Sequence, residues 1–452
     1  IPTVVTSFSD FQAKFGDVLK NGIAGDSVQF LTSHAAEEYL KNSDTLTVVR
    51  ILDGAFGPAS ATVATGSSGI DPNGGNSAFT LETLADGSIM NNADSTVTTN
   101  AIMKSGSKHN IRYEISNVNN TKGTFTLAIR AGNDNVKRKQ TLETFTGINL
   151  DPNSPNYVVK AVGDQVQTIR TDENSNPFLQ LTGSYANKSR FVRVSTISSK
   201  TPDYLDENGT IRLTTATGSL PLAGSGSSQG GFSGGSDGYG GFDSLGNHLG
   251  ADGTGSAANF YESINSTNSQ GFKLSTGADG TNAYVQALDL LKNQDEFDIN
   301  LILLPGIIDG LHTTVAAKAI DVCESRGDCF TILDPVAYNS TLAQATARGE
   351  ARDSNFAAMY WPWVKVPDSL LGVQRWVPPS TVMGGIYAFN DRVAHPWFAP
   401  AGLNRGGITT AIQAERKLTQ SDRDSLYDSN VNPIATFPGQ GVTVFGQKTL
   451  QK

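Results

Sequence analysis

Asp298-Ile-Asn-Leu-Ile-Leu-Leu304 is a nearly continuous apolar run, closed by Pro305-Gly306. A short run of this kind, rich in branched residues, reads as a strand buried on both faces. A helix starting at Thr313 follows, with Ala316, Ala319, Ile320 and Cys323 on one face and Gly327 as its stop. Phe330-Thr-Ile-Leu333 then repeats the buried strand and ends at Asp334-Pro335. Strand, helix, strand with doubly buried strands implies right-handed βαβ units and a sheet containing parallel pairs.

The pattern extends in both directions. Thr281 opens a helix with Ala283, Ala287, Leu288 and Leu291 on one face. A helix at about 340–351 leads to the strand Phe356-Ala-Ala-Met-Tyr-Trp361. Pro379 suits the first turn of another helix, since its missing N–H would be unbonded there anyway. Two more helices are expected over about 407–417 and 420–428, and Gly441-Val-Thr-Val-Phe-Gly446 reads as a last strand. Near the start, Ser7 can cap a helix carrying Phe8, Phe11 and Phe15, ended by Gly16, and Ser33 can cap a second through Leu40. Leu46-Thr-Val-Val-Arg-Ile-Leu52 is a buried strand with no nearby mate, expected to join the later sheet.

That expectation makes residues 56–278 an insertion into one α/β core. The fold class is therefore an α/β core with a mixed or parallel sheet, discontinuous in sequence, carrying large β-rich inserted domains. The expected division is 1–55, first part of the core; 56–100, a Gly/Ser/Asn-rich inserted segment; 101–223, a β-rich protrusion; 224–278, a Gly-rich loop and return linker; 279–452, the second part of the core. Within the protrusion, Thr124-Phe-Thr-Leu-Ala-Ile129, Phe191-Val-Arg-Val194 and Thr210-Ile-Arg-Leu-Thr214 alternate as strands do. Thirteen of the residues in 224–255 are Gly, and such a stretch buries too little to offset the entropy of ordering it, so a long exposed loop is expected.

Composition limits the functional classes. The 452 residues carry 43 acidic and 34 basic side chains, net −9, without the basic footprint of a nucleic-acid binder. Apolar residues make up 38%, and no apolar run reaches the ~18 residues of a membrane helix. Cys323 and Cys329 are no disulfide framework and lack zinc-ligand spacing; a reducing compartment is the simpler reading. Sequons such as Asn187-Lys-Ser mean little without a secretory signal.

Motifs of chemistry are weak throughout. Ser228, Ser233 and Ser236 each centre a G-x-S-x-G, but no strand precedes and no helix follows, as a nucleophile elbow needs. No phosphate loop or dinucleotide fingerprint occurs. His34, His109, His248, His312 and His395 are scattered and read as caps, surface residues or satisfied core groups. Arg326-Gly327-Asp328 looks like an integrin motif, but it lies where a helix must stop before a strand. No catalytic, cofactor-binding or metal-ligating residue is expected. The stretch from Trp361 to Arg405 holds all four tryptophans, Trp361, Trp363, Trp376 and Trp397. It reads as core packing and as a surface for neighbouring subunits, where Trp, Tyr and Arg concentrate.

This same region carries a family resemblance. Arg375-Trp-Val-Pro-Pro-Ser-Thr-Val-Met-Gly-Gly-Ile-Tyr387 and Asp391-Arg-Val-Ala-His-Pro-Trp-Phe-Ala-Pro-Ala-Gly-Leu-Asn-Arg-Gly406 resemble the signature of contractile phage tail sheath proteins, with T4-like myophage sheaths nearest. Asp422–Ile434 and Gly441–Leu450 continue it, Val4–Gly16 is similar to the family's N-terminal core helix, and Glu143–Val158 to its β-domain motif. The resemblance spans about 1–55, 110–165 and 277–452. It implies a structural, non-enzymatic subunit without cofactors. Such subunits stack in hexameric rings wound around an inner tail tube, between baseplate and tail terminator, and contract to drive the tube through the host envelope. It implies assembly in the host cytoplasm, a virion location, no nucleic acid or small-molecule ligand, and terminal linking arms lying outside the chain, which reads as a fragment. The rival readings are a β-rich module binding host-surface glycans and a serine hydrolase of the Gly-rich loop.

Overall fold

The computed structural model describes residues 2–16, 19–20, 27–52, 56–66, 76–87, 110–135, 137–173, 176–223, 229–237, 261, 264–270 and 272–452. The N-terminal segment holds β1 (Pro2–Val5), α1 (Phe8–Phe15), α2 (Leu31–Leu40) and β2 (Leu46–Val49). Ser7 caps α1 by accepting the Asp10 N–H, and Gly16 closes it at φ 81°, as expected. The cap expected at Ser33 is corrected: α2 starts at Leu31, whose N–H is taken by the Gln270 side chain at 2.9 Å, so no local cap is needed.

The strand at 46–52 does not join the later sheet. Its ordered part, β2, pairs antiparallel with β1, because Val48 is used in a small core with Val5, Phe11 and Ala36.

Next come β3 (Phe56–Ala64), β4 (Ser77–Asp86), β5 (Ile111–Asn119), β6 (Thr124–Ala131), β7 (Thr141–Asn149), β8 (Val192–Ile197), β9 (Gln229–Gly231) and β10 (Ser236–Asp237). They form two antiparallel four-stranded sheets, ordered β8-β4-β3-β10 and β9-β5-β6-β7. The sheets share one core, in which Phe79 of β4 stacks on Phe125 of β6 at 5.9 Å. A boundary at residue 100 therefore does not separate two cores. The expected exposed loop is also corrected over 229–237: this piece crosses from one sheet to the other as two edge strands, and Phe232 between them is fully buried. Residues 224–228 and 238–255 lie outside the described residues. Ile211 makes a single bridge to Leu205 and a 3-10 turn follows at Thr214–Ser219, where a strand was expected.

The C-terminal body contains α3 (Asp279–Leu290), β11 (Leu301–Ile308), α4 (Thr313–Arg326), β12 (Phe330–Asp334), α5 (Leu342–Glu350), β13 (Ala357–Trp361), β14 (Val364–Asp368), β15 (Val373–Val377), α6 (Ser380–Val393), β16 (Gln413–Ala414), α7 (Gln420–Asp428), β17 (Val431–Phe437) and β18 (Gly441–Val444). Its sheet runs β11-β12-β13-β17-β18, parallel except for the last pair. Both faces are covered. Ile332, Ala358 and Tyr360 face α2 and α6, while Leu333, Ala357, Met359 and Trp361 face α4, α5 and α7. This alternation is why the strands read as unbroken apolar runs.

Two expectations fail here. β11 continues through Pro305-Gly306 to Ile308, with a register jump after Leu303. The irregular stretch is tied from outside, by Gln270 Nε2 donating to Pro305 O at 3.3 Å and Ser269 Oγ to Gly306 O at 2.7 Å. No helix forms over 407–417: Ile412 and Glu415 donate backbone N–H to Lys365 and Trp363, and β16 pairs with β14.

The N-terminal segment reaches the main body through helix packing. Gly385 lets α6 approach α2 closely, since a Cβ there would lie 2.8 Å from the Glu38 carbonyl oxygen, while Gly384 makes room for Leu303 of β11. Asn42 Nδ2 donates to Gly385 O at 3.2 Å across the same seam.

Candidate interaction surface

In open α/β sheets, ligands settle beyond the carboxyl ends of the parallel strands. Here those positions carry two carboxylates, each occupied by the chain's own side chains. Asp309, just after β11, is buried and receives Arg348 Nε at 2.8 Å, with Arg352 Nε at 3.0 Å and Nη2 at 2.6 Å on its other oxygen. Asp334, ending β12, accepts the Ser380 N–H at 2.9 Å and its hydroxyl at 2.5 Å, at the start of α6. Burial pushes the Asp334 carboxyl up to about 7, against the opposing pull of the Ser380 hydrogen bonds. These groups tie helices to the sheet and leave no lone carboxylate pair there for acid–base work.

The other candidates stay apart. His312 accepts the Ile308 N–H through Nδ1 at 3.1 Å, so Nε2 is assigned the proton and donates to Asn265 O at 2.9 Å. His34 is buried against Asp368, Nε2 to Oδ2 3.8 Å, and desolvation lowers it to about 4. His109 and His248 lie outside the described residues, as does Ser228. Ser233 bridges Ser60 and Ser236 lies in the edge strand β10, neither at a strand-to-helix turn. Among the described residues no group of three His, Cys, Asp or Glu could hold a metal. Arg326 of the Arg-Gly-Asp triplet is buried and bonded to Asp328, Nε to Oδ1 2.8 Å, so the triplet is a helix stop.

The tryptophan stretch divides between its two readings. Trp361 and Trp363 are core residues, and Trp363 Nε1 donates to Val336 O at 3.0 Å. Trp376 is half-buried under Lys365, 5.5 Å from its ring. Trp397 is 77% exposed. His395 stacks on it at 4.4 Å with planes 10° or less apart (9°), and Arg405 lies 4.6 Å from the Phe398 ring. Val393, Phe398 and Leu403 are also exposed. The segment has no regular secondary structure, yet it is pinned. Asn390 Nδ2 donates to Phe398 O at 2.9 Å, and the Gly402 N–H to Val444 O at 2.8 Å. An exposed aromatic and cationic patch on a held backbone has the composition of an interface centre. Sequence reading missed a second cluster, in which Arg423 lies 5.4 Å from Phe437 and 5.9 Å from the exposed Phe445. The only signal was a phenylalanine ending an alternating strand.

Residues 277–450 match the model of the phage tail sheath protein central domain. This part of the chain is similar to that domain. Curated relatives agree. The tail sheath protein of Enterobacteria phage T4 is 30% identical over 200 residues, 38% of this chain and 30% of that protein. The tail sheath protein of Vibrio phage KVP40 is 26% identical over 211 residues, 40% and 31% of the two lengths. The chain thus spans under a third of the length of these two sheath proteins. Among solved structures, a sheath tail protein of Desulfitobacterium hafniense aligns over 100% of this chain and 68% of its own, at 14% identity and TM-score 0.43. The sheath complex of an extracellular contractile injection system in its contracted state aligns over 36% of this chain and 44% of its own, at 27% identity and TM-score 0.30. The matched residues contain the whole five-stranded sheet, α6 and the Trp397 patch.

Proposed function

We propose that the chain is the body of a contractile tail sheath subunit, which polymerises around an inner tube and contracts to drive the tube through a host envelope. The match of 277–450 to the sheath central domain carries this reading. Buried carboxylates spent on joining helices to the sheet support a structural role. On this reading β1 to α2 and the C-terminal body make one α/β core, seamed at Gly385, and the two-sheet sandwich of 56–237 is an outward insertion. Neighbouring subunits, the tube, the baseplate and the terminator are its partners, and the virion is its place. Contraction is a repacking of rigid bodies between two interface arrangements, and the Trp397 patch is a surface at which such repacking occurs.

Electron microscopy of the full chain, expressed with and without its inner tube protein, tests the proposal. Rings or tubes are expected; their absence in both conditions overturns it. A glycan array probed with the same protein tests the rival, since specific binding would make the sandwich a receptor module.

A further inference from the structure

The joint that holds the N-terminal segment on the body is polar at its centre, and the sheath reading gives that centre no task. At one end of α2 the Leu31 N–H donates to Gln270 Oε1 at 2.9 Å, and just past the other Asn42 Nδ2 donates to Gly385 O at 3.2 Å. At the rim Glu37 accepts the Ser369 hydroxyl at 3.2 Å, and Glu38 the Thr410 hydroxyl at 3.0 Å. Between these contacts His34 faces Asp368, the last residue of β14, and their side chains are 5% and 0% exposed. Nε2 and Oδ2 stand 3.8 Å apart, beyond hydrogen-bond reach, and among the described residues neither atom has a hydrogen-bond partner. The other Asp368 oxygen is taken by its own turn, accepting the Leu370 N–H at 3.1 Å and the Leu371 N–H at 3.0 Å. Tyr261 packs edge-on against the His34 ring at 6.0 Å, and its hydroxyl donates to Gln29 O.

A proton on His34 would set a cation beside the Asp368 carboxylate, and that attraction favours uptake. Burial opposes it, since the imidazolium would have neither water nor a hydrogen-bond acceptor in reach. Arg375 of β15 and Lys41 at the end of α2 oppose it too, by adding positive charge. The remaining walls supply no further counter-charge. β11, which packs against α2, is Leu-Ile-Leu-Leu-Pro-Gly-Ile-Ile. On α6, Tyr387 is bonded to the Tyr360 hydroxyl at 2.9 Å, and Asp391 and Arg392 are exposed. Desolvation of a buried pair commonly exceeds what the attraction returns unless the geometry is close and fully hydrogen-bonded, and here it is neither. Burial therefore wins and holds His34 down at about 4.

We propose that the His34–Asp368 contact is an acid-sensitive latch, at which a proton taken up by His34 releases α2 and its segment from the body. Once α2 is undocked, His34 returns to its ordinary 6.5, so the undocked state binds more protons than the docked one. Docking is fully favourable above 6.5 and weakens as pH falls toward 4. Each pH unit within that window raises the undocked population about tenfold. The latch belongs to a single chain and goes beyond the sheath reading, so it holds whether or not subunits assemble.

Hydrogen exchange of the full chain, followed by mass spectrometry between pH 7 and 4.5, tests the latch, with labelling times scaled to the intrinsic exchange rate at each pH. Peptides of α2 should lose protection about tenfold per pH unit below 6.5, while β12 and β13 stay protected. H34Q, which has no proton to take up there, should keep α2 protected throughout. D368N keeps His34 and removes the charge that favours the imidazolium, so its α2 should still open on acidification, and at least as steeply. If H34Q fails to dock at pH 7, D368N alone decides. The proposal is overturned if α2 protection in the wild type is constant or rises on acidification, or if the sheet opens together with it. It is equally overturned if H34Q keeps the wild-type slope, or if D368N loses it.

Discussion

The sandwich and the α/β body each bury a carboxylate between two arginines, and they do so differently. In the sandwich, Asp134 receives Arg130 Nε at 2.7 Å and lies 3.2 Å from Arg112 Nε, with both arginines sealed inside the fold. Glu114 takes the remaining side of Arg130 at 2.6 Å, and desolvation lowers the Arg112 pKa. In the body, Asp309 is equally buried, but Arg348 and Arg352 lie partly at the surface. The first device stiffens the rim of a single sheet. The second joins α5 to the end of β11, two elements that a repacking body must keep together. The contrast teaches that charge is used inside the sandwich as an internal clamp and in the body as a strap between layers.

The largest effects are expected where that contrast is attacked directly. D134A takes from the buried Arg112 and Arg130 the carboxylate they share, and D309A does the same to the partly exposed Arg348 and Arg352, a loss of about 3–5 kcal/mol. Urea unfolding of the full chain should give a larger loss for D134A, because its arginines cannot reach water. Equal losses would erase the distinction between clamp and strap.

Next in size is the seam at Gly385. G385A drives a methyl against the Glu38 carbonyl, and overpacking of this kind costs about 1–3 kcal/mol. Limited proteolysis should then release residues 1–52 ahead of the C-terminal body. Unchanged protection would mean the N-terminal segment is not part of that core.

A smaller effect is pH-dependent, and its sign is set by two opposed groups. Asp334 is raised to about 7, so its contribution is complete below the ordinary carboxyl pKa and is lost as pH rises through 7. His34 is lowered to about 4, so the native state binds fewer protons; stability is lost as pH falls from 6.5 through 4. Between about 4 and 6.5 the two slopes oppose each other, each at most about 1.4 kcal/mol per pH unit. Thermal melts of D334N should therefore rise with pH across this window, and those of H34N should fall. Parallel curves for both variants would contradict the assignment.

Much of the body was legible in sequence, since its strands are buried on both faces and announce themselves as apolar runs, as at Phe330–Leu333 and Phe356–Trp361. The sandwich was harder. In Phe56–Ala64 and Ser77–Asp86 small and polar residues outnumber the large apolar ones, and their burial depends on distant partners such as Val192 and Phe125. The misplaced helix at 407–417 has the same cause: its backbone is claimed by β14 across the fold. Of the candidate surface, the tryptophan cluster could be seen, but which of the four faces solvent could not, because spacing alone does not tell Trp363 from Trp397.

The smallest expected change in stability is also the most direct test of the account. Trp397 is exposed, so W397A should alter unfolding by less than about 0.5 kcal/mol. Electron microscopy of the full chain, wild type and W397A side by side under assembling conditions, is the measurement. The account predicts rings or tubes for the wild type and few or none for a W397A protein that melts normally. Tubes of equal length and number from both proteins would contradict it.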